Sequence, residues 1–182
     1  MRVAPGRAAV RAAAAVAAFA ATALAPAAGR ALTLSPLSLA ELTAAAPIVV
    51  RARCEERQAR RVGDGADTLA RFSVLERVKG DPPDEVVVRE LGGRAGAVEV
   101  TVPGAPASEP GDEALLFLAP AASGELEVVG IAHGYLPVVA MPGGGPVVRL
   151  PSRLAAELGG GATRPLATVL ARVRELASRG AP

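Results

Sequence analysis

Residues 48–57 read IVVRARCEER and residues 68–79 read TLARFSVLERVK, and the alternation inside these two stretches decides the fold. Side chains of a strand point to opposite faces in turn, so residues two apart share a face. In the first stretch Val50, Ala52 and Cys54 fall together, with Arg51, Arg53 and Glu55 opposite them. In the second, Ala70, Phe72 and Val74 make the apolar face, and the alternation breaks near Leu75. An extra residue there predicts a bulge of the kind that bends a strand. The polar segment 60–67, with Gly63 and Gly65, predicts a hairpin loop between the two strands.

Further strands follow toward the C-terminus. The turn Gly80-Asp81-Pro82-Pro83 leads into a third strand over 85–91, and Gly92, Gly93 and Gly96 precede the alternating Val98, Val100 and Val102. A Pro-rich loop over 103–111 comes next. Ala114 to Leu118 is apolar without interruption, as expected of a strand covered on both faces. Strands are also predicted over 126–131 and 135–141, with a short edge over 147–150.

Helices are expected only at the two ends. Ser38 and Glu41 have the spacing of a capping box, and Leu37 and Leu42 that of a hydrophobic staple. This helix must stop near Ala45, because Pro47 disfavours helical geometry at Ala46. At the other end Leu166, Val169, Leu170, Val173, Leu176 and Ala177 recur at helical spacing on one face. The prediction is a mainly β fold: a small OB-like β-barrel over 32–162, opening with a short N-terminal helix and closed by an amphipathic C-terminal helix over 163–182.

Residues 1–31 read as a secretory signal peptide. Arg2, Arg7 and Arg11 form a positive start, Ala12 to Leu24 is an uncharged run of thirteen residues, and small residues at Ala25, Gly29 and Ala31 offer cleavage sites. Thirteen residues are too few to span a bilayer, so no stable membrane insertion is expected after cleavage. The protein is expected to be exported, to a periplasm or the extracellular space. Four of the twenty basic residues lie in this leader and all eighteen acidic ones beyond it, which turns the formal +2 of the whole chain into −2 for the processed protein. The whole chain has three Phe, one Tyr and no Trp, and without a basic patch its processed part lacks the footprint of a nucleic-acid partner.

The run APIVVRARCEE (46–56), then TLARFSVLERVKGD (68–81), DEVVVRE (84–90) and EPGDEALLFLA (109–119), resembles the netrin-like module of the tissue inhibitors of metalloproteinases. In that module a short helix leads into a long first strand, and a second long strand ends in a Lys-Gly turn, matched here by Lys79 and Gly80. The resemblance covers roughly 38–131 and extends to a group of uncharacterised exported bacterial proteins with the same order of elements. It implies a netrin-like OB fold. The inhibitors chelate zinc through an N-terminal cysteine, whereas the one cysteine here, Cys54, lies within the first strand.

Catalytic and metal-binding sets are sparse. Cys54 and His133 are the one available Cys/His nucleophile pair. Against it, Cys54 shares its strand face with Val50 and Ala52, as a buried small hydrophobe would. One His and one Cys do not build a zinc site. Asp64 and Asp67, or Glu109, Asp112 and Glu113, offer oxygens to calcium without an EF-hand spacing, and read as solvated loop carboxylates. No catalytic, cofactor or metal residues are therefore assigned. The expectation is an exported, non-catalytic module that binds another exported protein, with inhibition of or assistance to a secreted protease as one version. A hydrolase using carboxylates or the Cys54/His133 pair, and a structural component of an envelope assembly, are the alternatives.

Overall fold

A computed structural model describes residues 36–180, so the signal peptide predicted for 1–31 lies outside the described residues. The first element is helix α1 (Leu39–Ala45). Its capping box forms as the spacing predicts: the Glu41 N–H donates to Ser38 Oγ at 3.2 Å, and the Ser38 N–H donates to Glu41 Oε2 at 2.7 Å. Leu37 and Leu42 pack into the same apolar cluster, and Ala46 is already extended before Pro47.

Ten strands follow: β1 (Ile48–Val62), β2 (Gly65–Lys79), β3 (Glu85–Leu91), β4 (Gly93–Ala95), β5 (Val98–Val100), β6 (Glu113–Pro120), β7 (Leu126–Val128), β8 (Tyr135–Ala140), β9 (Pro146–Arg149) and β10 (Thr163–Pro165). Helix α2 (Ser152–Glu157) precedes β10, and α3 (Leu166–Arg179) follows it. The large sheet has the order β1-β2-β3-β7-β6-β8-β9-β10, and β1 pairs with β6 as well as with β2. Followed from β1 through β2, β3, β7 and β6, the pairings return to β1. Every pairing on that path is antiparallel except the parallel step from β3 to β7, which spans two residue pairs. β4 and β5 form a small separate hairpin.

Two apolar clusters hold this arrangement. Val50, Ala52, Cys54, Ala70, Phe72 and the even-numbered residues of β6 (Ala114, Leu116, Leu118) form the inner one, which also takes Val86 and Val88 of β3 and Val128 of β7. The odd-numbered Leu115 and Phe117 belong to the outer one, together with Leu39 and Leu42 of α1 and Val169 and Val173 of α3. β6 therefore needs apolar side chains at every position, which is why 114–118 shows no alternation. The face expected on α3 is buried from Leu166 to Val173.

The bulge expected near Leu75 is present. Arg51 pairs with Glu76 and Ala52 with Val74, leaving Leu75 without a counterpart on β1. Two expectations need correcting. Residues 60–67 are not a loop: β1 and β2 run on as a ladder to a two-residue turn at Gly63 and Asp64, with Gly63 at φ +56°. The polar character that suggests a loop is cross-strand pairing, since Arg60 Nε donates to Asp67 Oδ1 at 2.8 Å. Helices are also not confined to the ends, because α2 buries Leu154 and Ala155 against the outer cluster.

The Lys-Gly turn seats α1. Lys79 Nζ donates to the Thr43 carbonyl at 2.6 Å, a cation at the negative end of the helix dipole. Gly80 has φ +73°, and a Cβ there would lie 2.7 Å from the Pro47 carbonyl oxygen, so only glycine fits this crossing. Among the described residues no helix is long and apolar enough to cross a membrane.

Candidate functional site

The inner cluster is apolar at one end and polar at the other, and the change begins at a second bulge. Cys54 pairs with Phe72 but Glu56 with Arg71, so Glu55 has no counterpart on β2. Alternation carried straight on from Arg51 and Arg53 would send Arg57 outward. The extra residue resets the phase, and Arg57 pairs instead with the inward-facing Ala70. On β3, Glu90 has the same parity as the buried Val86 and Val88, and its neighbour on β2 is Thr68.

Glu90 is the centre of this polar end. It is 2% exposed. Ser108 Oγ donates to Glu90 Oε1 at 2.5 Å, and Arg57 Nη2 reaches Glu90 Oε2 at 3.3 Å. Arg57 Nη1 donates to Glu109 Oε1 at 2.9 Å. Burial pushes the Glu90 carboxyl above the ordinary glutamate range, against the downward pull of Ser108 and Arg57. The phenol of Tyr135 and the thiol of Cys54 are also pushed up, chiefly by burial, with the carboxylates of Asp112 and Glu90 adding to the effect. The loop from Pro103 to Asp112 is pinned over this end. The Cys54 N–H donates to the Asp112 carbonyl at 2.8 Å, and the Gly111 N–H to the Cys54 carbonyl at 2.8 Å.

Two clefts open beside Glu90. One, of about 370 Å³, lies between the end of β3 and the segment following β7, with Arg89, Val128 and Ile131 in its walls. The other, of about 490 Å³, lies between the end of β3 and the β5 side, with Arg57, Thr68 and Arg94 in its walls. Glu90, Leu91, Ala105 and Pro106 line both. Ile131 sits in the left-handed region at φ 64°, an unfavourable setting for a β-branched residue and of the kind that collects at binding sites. It lies in a tight turn in which the Ala132 and His133 N–H groups both donate to the Gly130 carbonyl.

The residues singled out from the sequence do not converge. Cys54 is fully buried in the inner cluster, where its thiol donates to the Glu56 carbonyl at 3.9 Å. The His133 ring lies against Gly130 with Leu37 beside it. Its neighbour Gly134 accepts from the Phe117 N–H, and Phe117 pairs with Val49. Five residues of β1, roughly 16 Å of extended chain, separate that level from Cys54. A nucleophile pair needs hydrogen-bond reach and an accessible thiolate, and Cys54 has neither from His133.

Of the carboxylates suggested for calcium, all but Asp64 are engaged by nitrogen, Glu109 by Arg57. Asp67 is held by Arg60, and Asp64 sits in the hairpin turn. Asp112 Oδ2 accepts from the Glu109 N–H at 2.9 Å, while the two oxygens of Glu113 take Arg51 and Arg53. Among the described residues no three acidic, His or Cys side chains are grouped to hold a metal ion. Sequence reasoning missed Glu90, Arg57 and Ser108. The parity of Glu90 with Val86 and Val88 was the one signal that pointed there.

No protein-family model matches the chain, and no curated protein is detectably similar to it.

Proposed function

We propose that residues 36–180 form an OB-type barrel acting as a non-catalytic module that binds another exported protein. The cyclic order β1-β2-β3-β7-β6, with β3 and β7 parallel, supports the barrel reading, since a five-stranded partly open Greek-key barrel has this form. One observation carries the binding reading: two clefts meet over a single buried carboxylate at the end of the strand cycle where loops gather. Loops on a rigid scaffold, with a perturbed group in a concavity, are where recognition concentrates. The charge pattern argues for a protein rather than a polyanion, because the arginines around the clefts are matched by carboxylates, as Arg57 is by Glu90 and Glu109, and Arg89 by Glu127.

The test is affinity capture from the exported fraction with the processed protein as bait. A protein retained by the wild type and lost with Arg57→Glu, which repels Glu90 and Glu109, supports the reading; retention by both overturns the placing of recognition at the clefts, and no retained protein at all overturns the module. Inhibition of a secreted protease is a narrower version that rests on the netrin-like resemblance. Assay of the protein against a panel of metallo- and serine proteases checks it, and unchanged rates at high micromolar concentration remove it. The competing reading is a hydrolase in which Glu90 is the acid, favoured by its raised carboxyl beside two clefts. Turnover of ester, peptide or glycoside substrates that Glu90→Gln abolishes would replace the binding reading with this one.

A further inference from the structure

The two clefts meet where the segment carrying Ala105 and Pro106 passes Glu90 and Leu91 at the end of β3, the four residues that line both. There the edge of β3 is open. β3 pairs with β7 only at Val88 and Arg89, while Leu91 pairs with Asp67 of β2 on its other side. The passing strap is lightly tied. Between Val102 and Ser108 its main chain makes one backbone bond, from the Ala105 N–H to the Val102 carbonyl, and the strap is anchored to β3 through the Ser108–Glu90 contact.

The chemistry of the walls narrows what fits. Arg57 and Arg89 already direct their terminal nitrogens at Glu90, Glu109, Asp67 and Glu127. Each keeps a buried Nε–H with no acceptor. The free capacity is therefore for neutral acceptors, not for another negative charge. Three arginines (57, 89, 94) face three glutamates (90, 99, 127) across the two clefts, which leaves no net charge to attract an anion or a cation. Leu91, Ala105, Val128 and Ile131 make the remaining wall aliphatic. Carbonyl acceptors at regular intervals, no charge, and small apolar side chains describe an extended polypeptide main chain.

We propose that the two clefts are halves of one groove that takes an extended, uncharged segment of the partner protein, paired along the open edge of β3 at Glu90–Leu91 once the 103–107 strap lifts. The groove rests on the binding-module reading above and specifies its site. Strand addition at an open edge draws affinity from main-chain hydrogen bonds and specificity from alternate side chains. Arg57 and Arg89 then donate to carbonyls of the incoming segment, and Ser108 exchanges its bond to Glu90 as the strap moves.

The test is a titration of the isotope-labelled processed protein with the capped peptide acetyl-Ala-Val-Ala-Val-Ala-amide, followed by amide chemical shifts. Shifts centred on residues 90, 91, 105 and 131 are expected, with binding weakened at least about tenfold, about 1.4 kcal/mol, by Ala105→Trp. Ala119→Phe fills the first cleft from β6 and serves as the second variant should Ala105→Trp not fold. Absence of shifts at those amides up to millimolar peptide, or equal binding by folded filled variants, overturns the groove. Much tighter binding of the same peptide with a free carboxylate also overturns it, in favour of an anion site. Repeating the affinity capture with the filled variants separates the two readings. A partner still retained leaves the binding module standing without this groove, and a partner lost supports both.

Discussion

The two faces of β6 have different neighbours. Leu115 and Phe117 look outward into a cluster closed by α1 and α3, which is apolar throughout. Ala114, Leu116 and Leu118 look inward into a cluster of similar character that gives way, past Cys54, to Arg57, Glu90 and Ser108. The outer cluster is a packed contact between helices and sheet. The inner cluster is sealed at one end only. Its open end places a buried carboxylate beside two clefts, where desolvation opposes the charged form. The packing against the helices and the polar end with its clefts therefore lie on opposite faces of one strand.

Truncating one large side chain on each side tests that division first. Phe117→Ala in the outer cluster and Phe72→Ala in the inner one are each expected to cost about 3–5 kcal/mol in urea unfolding, since both rings are fully buried. A loss under about 1 kcal/mol at either site would mean that its cluster is not packed as described. Gly80→Ala tests the corner that seats α1 and so the outer cluster alone. The left-handed φ and the 2.7 Å approach to Pro47 predict a loss of roughly 1–3 kcal/mol, read as a lowered thermal midpoint. Ser38→Ala removes the cap of the same helix and is expected to cost about 1 kcal/mol. Neither change should alter partner capture if recognition belongs to the inner end.

Glu90→Gln sharpens the comparison from the other side. A carboxyl whose folded pKa lies above its unfolded value holds its proton more tightly in the folded state. Its ionisation is therefore a burden on folding at neutral pH, and the burden lifts as pH falls through the raised value toward 4.5. The stability of the wild type relative to Glu90→Gln should rise over that window by a small amount, seen as a few degrees in the difference between their midpoints. Taking the difference cancels Glu113, Glu125 and Glu175, whose lowered pKa values push stability the opposite way. A difference that stays flat from neutral to acid pH would place Glu90 in solvent.

Much of the scaffold was legible because apolar side chains report their burial by spacing. The faces of β1 as far as Cys54, the bulge at Leu75, the cap at Ser38 and the buried stripe of α3 all follow from local pattern. The errors share a cause in charge. Residues 60–67 pass for a loop because Arg60 and Asp67 find their partners across strands that the sequence does not show paired: each other, and beyond that Glu125 and Arg89. The inward turn of Arg57 goes unseen because the bulge at Glu55 leaves no mark in a run of polar residues. Ser108 sits in a Pro-rich loop whose path is set by distant backbone bonds to Cys54, so its meeting with Glu90 is a fact of three dimensions.

The single lysine of the sequence has a practical consequence. Lys79 is held against the last turn of α1 by its own ammonium hydrogens, and acylating it would remove the cation from the helix end. Amine-directed cross-linkers, the usual reagents for trapping transient complexes, would find one lysine on this chain and disturb the corner it secures. Reagents aimed at carboxyl groups, or a photoreactive residue placed beside Leu91, leave that corner intact.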